Sequence, residues 1–410
     1  MSLRAVSSVL AVAAVSALAA CTDTTAPVAA PATGPGRSLV ATVEGAIPGR
    51  FIVTVAEGTD PAVVAAAFGL TPDFVYRNAL NGFAAGSVSD ATVSALKADP
   101  RVLLVEADAV VQAPPHRFET QENATWGLDR IDQRALPMDG TYNYRFTGKG
   151  VIAYIVDTGI RYTHQEFGGR ATPGFDAFND GQNGNDCQGH GTHVAGTVGG
   201  TKFGVAKQVQ LVSVRVLGCD GSGATSGVVA GMDWVVGDVN ARRASGEAVP
   251  AVANLSLGSL IGNNSTDNAV RRMLAAGVTT VLAAGNGIPS GGVPQDACNA
   301  SPARTREALT IGATTRTDGR TTWSNFGDCV DFFAPGASIT AASWANDTDV
   351  RTISGTSMAA PHVAGVAALY LERNKRALPA TVNQALADAT TKGVVTTSLT
   401  TNNHLLFTGF

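Results

Sequence analysis

Hydrophobic residues follow different patterns along the chain, and the first is an apolar stretch near the N-terminus. Residues 9–20 are almost wholly apolar but too few to span a bilayer, and Arg4 precedes them. Residues 21–44 are rich in Thr, Ala, Pro and Gly and show no hydrophobic period. We interpret residues 1–20 as a signal peptide and residues 21–44 as a flexible tether. No later segment is long and apolar enough to be a membrane helix.

Short apolar runs and helix signals predict a small α+β unit over residues 45–113. Asp60 can cap a helix, and Pro61 suits the first position of the Ala-rich stretch that follows. We predict strands at 50–55 and 102–105 and a second helix at 90–97. Residues 114–125 are polar and begin with two prolines, so we predict a cleavable linker there.

From residue 126 to residue 410, apolar runs of strand length alternate with longer helical stretches. The apolar runs are Val151–Val156, Leu211–Leu217, Ala251–Leu257 and Val278–Ala284. Helices are predicted at 227–240 and 266–276. Continuous apolar runs are typical of strands buried on both faces of a parallel sheet. We therefore predict an α/β domain with a doubly wound, mostly parallel sheet, in which ligands bind at the carboxyl ends of the strands.

Charge and composition narrow the class of partner. The 410 residues carry a net charge of −4, with 45% hydrophobic and 15% charged residues. This balance supplies ample material for a core and gives no reason to expect a nucleic acid or an anionic membrane surface as a partner. We expect a monomer.

Polar residues stand where the predicted strands end. Asp157 follows the run that ends at Val156, Ser256 and Gly258 close the run that begins at Ala251, and Asn286 follows the run that begins at Val278. The fold would bring them to one edge of the sheet.

Two further polar residues open predicted helices. His190 begins the stretch His-Gly-Thr-His-Val-Ala-Gly, and Ser357 lies in Gly-Thr-Ser-Met-Ala-Ala-Pro-His just before a helix that runs through Leu371.

These residue types suit acyl transfer. A Ser hydroxyl needs an adjacent base, His190 can take and return a proton near pH 7, and a buried Asp fixes the imidazole tautomer. The oxyanion of the intermediate needs donors, which Asn286 and the main-chain N–H of Ser357 would supply. We predict Asp157, His190 and Ser357 as a catalytic triad.

Each residue also has a plainer interpretation. Asp157 and Ser357 could be helix caps, Asn286 could belong to a turn, and His190 with His193 has the spacing of a metal pair on one helical face. No third metal ligand is evident nearby. We interpret His193, and likewise His362, as packing residues.

The motifs Asp157-Thr-Gly, His190-Gly-Thr-His-Val-Ala-Gly and Gly355-Thr-Ser-Met-Ala, in this order, resemble the signatures of the subtilisin-like serine proteases. Asn254-Leu-Ser-Leu-Gly and Ala283-Ala-Gly-Asn resemble further segments of that family. The resemblance extends from Trp126 to Phe410 and is closest to the proteinase K branch, in particular to aqualysin-type extracellular enzymes. It implies a secreted serine endopeptidase that acts on proteins and peptides.

The resemblance also implies a substrate groove and two disulfides. The groove residues would be Ser256, Leu257, Gly258, Ala283, Ala284 and Gly285. These residues are uncharged, which favours apolar or aromatic side chains before the scissile bond, and Ser259 stands where the family often has a second Gly. The disulfides would be Cys187–Cys219 and Cys298–Cys329; the alternative is buried free thiols.

Calcium is the cofactor that the resemblance implies, and no catalytic metal is expected. The oxygen ligands suited to Ca²⁺ would come from a cluster formed by Asp129, Asp132, Gln133 and Asp139. Asp331 is a second candidate, with the main-chain carbonyls of Arg306 and Ala308, and the loop 180–186 is a third. The alternative in each case is a solvated acidic loop.

Residues 45–113 resemble the inhibitory pro-domain of these proteases, which the enzyme would remove autocatalytically. The alternative is an independent accessory domain. Leu18-Ala-Ala-Cys21 is similar to a bacterial lipoprotein box, and Cys21 is the odd one of five cysteines, so the precursor could be lipid-anchored. Ordinary cleavage after Ala19 is the other interpretation.

Two competing functions differ in class from an active endopeptidase. One is a catalytically inactive surface lipoprotein that binds peptides through the same groove. The other is an esterase or lipase, but the Gly-x-Ser-x-Gly motif and the order Ser, Asp, His of those enzymes are absent.

Overall fold

The computed structural model describes residues 46–110, 118–247, 249–259, 261–288 and 292–409, and the chain divides into two compact units, 1–114 and 115–410. The predicted signal peptide, the tether and Cys21 lie outside the described residues. No helix within the described ranges is long and apolar enough to cross a membrane.

Unit 1 is a four-stranded antiparallel sheet with two helices, in the order β2-β3-β1-β4. The strands are β1 (Ala46–Val55), β2 (Phe74–Tyr76), β3 (Gly82–Ala85) and β4 (Val102–Ala109), and the helices are α1 (Pro61–Ala67) and α2 (Asp90–Ala98). Asp60 caps α1 by accepting the N–H of Ala62 at 2.9 Å. Val53, Phe83 and Leu96 lie in the core between sheet and helices. β4 continues four residues beyond the predicted strand because it pairs with β1 over its length.

Unit 2 is built on a seven-stranded parallel sheet in the order β13-β12-β11-β10-β7-β9-β8. Its strands are β7 (Ile152–Asp157), β8 (Ala171–Asp176), β9 (Gln210–Arg215), β10 (Ala251–Leu255), β11 (Val278–Ala283), β12 (Leu309–Thr314) and β13 (Phe332–Pro335). Its helices are α3 (Trp126–Ile131), α4 (His190–Gly199), α5 (Thr225–Ala244), α6 (Asn264–Ala275), α7 (Thr356–Arg373) and α8 (Pro379–Ala389). Two short antiparallel pairs complete the unit: β5 (Glu119–Glu122) with β6 (Thr141–Tyr144), and β14 (Ile339–Ala342) with β15 (Val350–Ile353).

Both faces of this sheet are buried, as the continuous apolar runs predict. Along β7, Ala153 and Ile155 belong to the hydrophobic cluster that contains α4 and α7, whereas Tyr154 and Val156 belong to the cluster that contains α5 and α6. Successive side chains of a strand point to opposite faces, so helices cover the sheet on both sides. The predicted doubly wound α/β fold is confirmed.

A short strand lies within the predicted linker 114–125. Residues 119–122 form β5, in which Gln121 pairs with Tyr142 of β6. The side-chain amide of Gln121 also donates to the carbonyl of Lys202 at 3.0 Å, and Lys207 donates to its side-chain oxygen. A polar sequence can form an edge strand when its side chains are hydrogen-bonded in this way, so folded structure in unit 2 begins before residue 126.

Candidate active site

The first two candidate catalytic side chains are hydrogen-bonded to each other. Asp157 is the last residue of β7, and its side chain is fully buried. Its Oδ1 and Oδ2 lie 2.8 and 3.0 Å from Nδ1 of His190, and Oδ1 also accepts the main-chain N–H of Thr158. Because Nδ1 carries the proton that the carboxylate accepts, the lone pair of the imidazole is on Nε2.

The pKa of His190 is raised above its ordinary value of 6.5. Burial alone lowers this pKa, but the charge of Asp157, its hydrogen bond to the ring and the charge of Asp186 together outweigh the effect of burial. These carboxylates favour the imidazolium, which is the form that a general base must adopt after it has taken a proton.

Asp186 holds the start of α4, a role that the sequence analysis missed. Its carboxylate accepts the main-chain N–H groups of Gly189 at 2.8 Å and Thr192 at 2.9 Å, and the hydroxyl of Thr158 at 2.9 Å. A negative charge at a helix N-terminus is stabilising, and here it orders the turn that presents His190. The sequence signal was an Asp shortly before a helix start, which is a typical capping residue.

Ser357 lies in the first turn of α7 and is held from both sides by Ser256, the residue directly after β10. The hydroxyl of Ser357 donates to the carbonyl of Ser256 at 3.1 Å, and the hydroxyl of Ser256 donates to the carbonyl of Ser357 at 2.8 Å. The side-chain amide of Asn254 donates to the hydroxyl of Ser256 at 2.8 Å. Ser256 and Asn254 thereby fix the backbone of the candidate nucleophile.

Asn286 is oriented by Thr356. Its Oδ1 accepts the main-chain N–H of Thr356 at 2.8 Å and the hydroxyl of the same residue at 2.9 Å. Because both bonds go to Oδ1, the Nδ2 donors remain available to the cleft that Asn286 lines. The main-chain N–H of Gly285 donates to the Thr356 hydroxyl at 3.0 Å, which ties the end of β11 to the start of α7.

One cleft of about 640 Å³ is lined by His190, Ser357 and Asn286 together with all the predicted groove residues. These groove residues are Ser256, Leu257, Gly258, Ala283, Ala284 and Gly285. The described lining contains no Asp, Glu, Lys or Arg side chain. Ser259 also lines the cleft, and its main-chain N–H donates to the carbonyl of Ser301 at 2.7 Å.

The candidate calcium loop brings its carboxylates together but engages most of their oxygens. Asp129 accepts the main-chain N–H groups of Asp139 and Gly140 at 3.2 and 2.8 Å, and Asp132 Oδ2 accepts that of Asn143 at 2.6 Å. Oδ1 of Asp132 is buried without a hydrogen-bond partner. Burial, together with the charges of Asp129 and Asp139, raises the pKa of Asp132 to about 6. Gln133 directs its amide nitrogen to the carbonyl of Pro137 at 2.9 Å.

The other two candidate calcium sites, Asp331 and the loop 180–186, differ from each other. Asp331 is half-buried, its Oδ2 accepts the N–H of Thr310 at 2.7 Å, and burial raises its pKa to about 6. In the loop 180–186, the Asp180 carboxylate instead pairs with the buried Arg215 at 2.7 Å, so the guanidinium already balances its charge. Across the described ranges, no group of three or more His, Cys, Asp or Glu side chains is arranged to hold a metal ion.

His193 does not pair with His190 as a metal ligand. Its Nε2 donates to the carbonyls of Ile339 at 3.0 Å and Arg351 at 3.1 Å, and its side chain is buried. Burial lowers its pKa to about 4, so it is neutral at physiological pH.

Both disulfides are present. Cys187–Cys219 joins the segment before His190 to a loop on the cleft wall, with Cα atoms 4.9 Å apart. Cys298–Cys329 joins the segment after β11 to the segment before β13, with Cα atoms 5.3 Å apart. Each bridge closes a loop of about thirty residues and restricts the unfolded chain.

Comparison with known proteins agrees with this geometry. A sequence model of the subtilase family, peptidase family S8, matches residues 148–406. The chain is 48% identical over 393 residues to an extracellular serine proteinase of Thermus sp. strain Rt41A, covering 89% of this chain and 90% of the relative. It is 47% identical to alkaline serine exoprotease A of Vibrio alginolyticus, covering 83% of this chain and 61% of the relative.

A solved structure gives the same result. The crystal structure of a cold-adapted subtilisin-like serine proteinase matches with a TM-score of 0.64 and 48% identity, covering 70% of this chain and 99% of that one. The chain belongs to the subtilase family of serine peptidases.

Proposed function

We propose that this chain, a secreted subtilase-family serine endopeptidase, hydrolyses peptide bonds through an acyl-enzyme on Ser357. The observation that carries the proposal is the Asp157–His190 hydrogen bond at the edge of a cleft that Ser357 and Asn286 also line. Nothing in the described residues favours an inactive, peptide-binding protein. Asp157 is buried against His190, and hydrogen bonds orient both Ser357 and Asn286.

The chemistry begins when the Ser357 hydroxyl turns from the carbonyl of Ser256 towards Nε2 of His190. Oγ attacks the carbonyl carbon of the scissile bond while Nε2 takes the hydroxyl proton. The oxyanion receives hydrogen bonds from Nδ2 of Asn286 and from the main-chain N–H of Ser357, which lies in the first turn of α7 and has no acceptor within the helix.

Each of the two later steps passes one proton through His190, and in the last step that proton comes from water and is returned to Ser357. The imidazolium of His190 donates its proton to the leaving amine, and the C–N bond breaks to leave an ester on Ser357. A water molecule then gives a proton to His190 and attacks the ester, which releases the carboxylic acid and restores the serine. Asp157 remains ionised and stabilises the imidazolium throughout.

The cleft favours an apolar or aromatic residue before the scissile bond. Ala283, Ala284 and Gly285 present small side chains on one wall, and Ser256 to Gly258 form another. A basic substrate side chain would require a carboxylate to pair with, and the described lining has none. Exposed main-chain groups at these strand ends can pair with an extended peptide.

We propose that Ca²⁺, held by side-chain and main-chain oxygens together, binds at two of the candidate positions and stabilises the fold. The unpartnered Oδ1 of Asp132, with the neighbouring carboxylates of Asp129 and Asp139 and the side-chain oxygen of Gln133, offers the oxygen ligands that this ion prefers. Asp331 offers a further, half-buried carboxylate. Bound calcium would offset the cost of burying these charges, and it takes no part in the chemical steps.

Unit 1 would act as an inhibitory pro-domain that the enzyme removes. We place the maturation cleavage after Phe118, which is 59% exposed and directly precedes β5. An aromatic residue at this position matches the apolar cleft. The released chain would then begin with the strand that pairs with β6.

Variant Ser357→Ala tests the function. We expect no hydrolysis of a chromogenic peptide, no labelling by a fluorophosphonate and a precursor that keeps unit 1 when it is made in a protease-deficient host. Ser245→Ala, which changes an exposed hydroxyl at the end of α5, is the matched control and should mature normally. Normal maturation of Ser357→Ala would refute the proposal.

Lipidation of Cys21 would retain the precursor at the membrane until cleavage after Phe118 frees the peptidase. An acylated Cys needs more than one lipid chain for firm retention. Fractionation of Ser357→Ala cells tests this step: the precursor should stay with the membrane, and Cys21→Ser should release it. Unmodified precursor in the medium would instead indicate ordinary cleavage after Ala19.

A further inference from the structure

The hairpin formed by β14 and β15 connects the two sides of the triad. β15 ends at Ile353, four residues before Ser357, and Ile353 lines the cleft. At the other end of the hairpin, the loop 343–349 contacts the segment that presents His190. A rigid hairpin can therefore transmit the position of one catalytic side chain to the other.

Trp344 makes the contact with the His190 segment. Its indole ring packs directly on Gly189, since a Cβ built on that glycine would lie 2.6 Å from Nε1 and closer still to Cδ1. Gly189 has φ +104°, a left-handed conformation that favours glycine, and it is the N-cap of α4. The indole thus covers the one residue between the capped turn and His190.

Arg161 fixes the loop that carries Trp344. Its guanidinium donates to the carbonyl of Trp344 at 3.1 Å and to Oδ1 of Asp347 at 2.7 Å, and its main-chain N–H donates to the hydroxyl of Thr192 at 3.0 Å. Thr192 lies in the first turn of α4. The loop and the helix therefore share one anchoring residue.

His193 fixes the strands of the same hairpin. Its Nε2 donates to a carbonyl of β14 and to a carbonyl of β15, and Gly196 of the same helix leaves no room for a side chain beside Ala342. With the loop and both strands attached to α4, the hairpin cannot move independently of the helix that begins at His190.

We propose that Trp344 is a positioning residue that sets the approach of His190 to Ser357; this inference rests on the proposed catalytic role of both residues. Asp157 is fixed on the sheet and Ser357 on α7, so the separation of Nε2 and Oγ depends on the first turn of α4. Trp344 is 39% exposed, and the rest of its surface packs against Gly189 and the loop. Without the ring, the left-handed glycine would gain freedom and the imidazole would lose its alignment.

The expected effect is on turnover and not on substrate binding. Misplacement of a catalytic group by about 1 Å can cost about 10²-fold in rate, so we expect kcat of Trp344→Ala to fall by about tenfold to a hundredfold. KM should stay within about twofold because the ring is not among the residues that line the cleft. Trp344→Phe, which keeps an aromatic face on Gly189, should recover most of kcat.

The experiment compares four processed enzymes: wild type, Trp344→Ala, Trp344→Phe and Val350→Ala. Val350 is an exposed residue of the same hairpin and is the matched control. Precursors that mature slowly are processed by added wild-type enzyme, which is then removed by an affinity tag on the variant. The readouts are kcat and KM for a chromogenic peptide, the rate of fluorophosphonate labelling and the pH profile of kcat/KM.

The proposal is supported if Trp344→Ala loses kcat and labelling rate in parallel, if the acid limb of its pH profile moves, and if Phe restores both. It is overturned if kcat is unchanged, or if the loss is in KM alone, which would make Trp344 a substrate contact. If Trp344→Ala does not fold, Trp344→Leu replaces it, and equal kcat for Trp, Phe and Leu overturns the proposal. An inactive wild-type enzyme would instead refute the proposed function.

Discussion

His362 should make the folded peptidase unit sensitive to acid. It lies in α7 with a side chain that is 1% exposed, and its Nδ1 donates to the carbonyl of Met358 at 2.8 Å. Nε2, which would take up a second proton, lies against Gly127, where an added Cβ would be only 2.6 Å away. Burial lowers the pKa of His362 from 6.5 to about 4.

The sign and size of the effect follow from this pKa. The unfolded chain takes up the proton near pH 6.5, and the native chain takes it up only near pH 4. Stability that is present above pH 6.5 is therefore lost progressively as the pH falls from 6.5 to about 4. At about 1.4 kcal/mol for each pH unit, the loss in unfolding free energy amounts to about 3 kcal/mol.

Urea unfolding at constant calcium concentration tests this reasoning in the Ser357→Ala background, which cannot digest itself. The unfolding free energy is measured at pH 7.5, 5.5 and 4.5 with and without His362→Gln, whose side chain does not titrate. We expect the cost of the substitution at pH 7.5 to shrink by about 2–3 kcal/mol at pH 4.5. His404→Gln changes a less buried histidine and is the control. If the unfolding free energies of His362→Gln and its parent change equally with pH, the assigned protonation state of His362 is refuted.

Four further predictions concern the site and its supports. Asn286→Ala should lower kcat by about 10²–10³ with little change in KM, as expected for a lost oxyanion donor; activity within a few-fold of wild type would leave Asn286 as a turn residue. The acid limb of kcat/KM should lie above pH 6.5 because the pKa of His190 is raised, and a limb below that value contradicts the assignment. Asp318→Asn should cost about 3–5 kcal/mol of unfolding free energy, because it leaves the fully buried Arg130 guanidinium without its charged partner; Glu307→Gln, at an exposed ion pair, should cost less than about 1 kcal/mol. Chelator together with reductant should lower Tm more than either alone. A thermal unfolding curve that chelator does not shift would show that calcium does not stabilise the fold.

Local patterns made the secondary structure largely predictable, and the differences have local causes. The apolar run that begins at Ala251 predicts a strand to Leu257, but β10 ends at Leu255 because the following residues turn into the cleft wall. α5 extends beyond the predicted Asn240 to Ala244, since Arg242 pairs with Asp238 one turn earlier and supports the last turn. The polar strand β5 was not predicted because its partners lie elsewhere in the chain.

The sequence by itself determined the residue types, their order and their place at strand and helix ends, because strand and helix periods are local properties of a chain. Tertiary structure alone decided which groups support them. Ser256 holds Ser357 across 101 residues, and Trp344 covers Gly189 across a still longer separation. Contacts of this kind leave no periodic signal in the sequence, because they depend on how complete elements pack. For that reason the candidate triad could be named from its motifs, while the hydrogen bonds and packing that position it could be seen only in the folded chain.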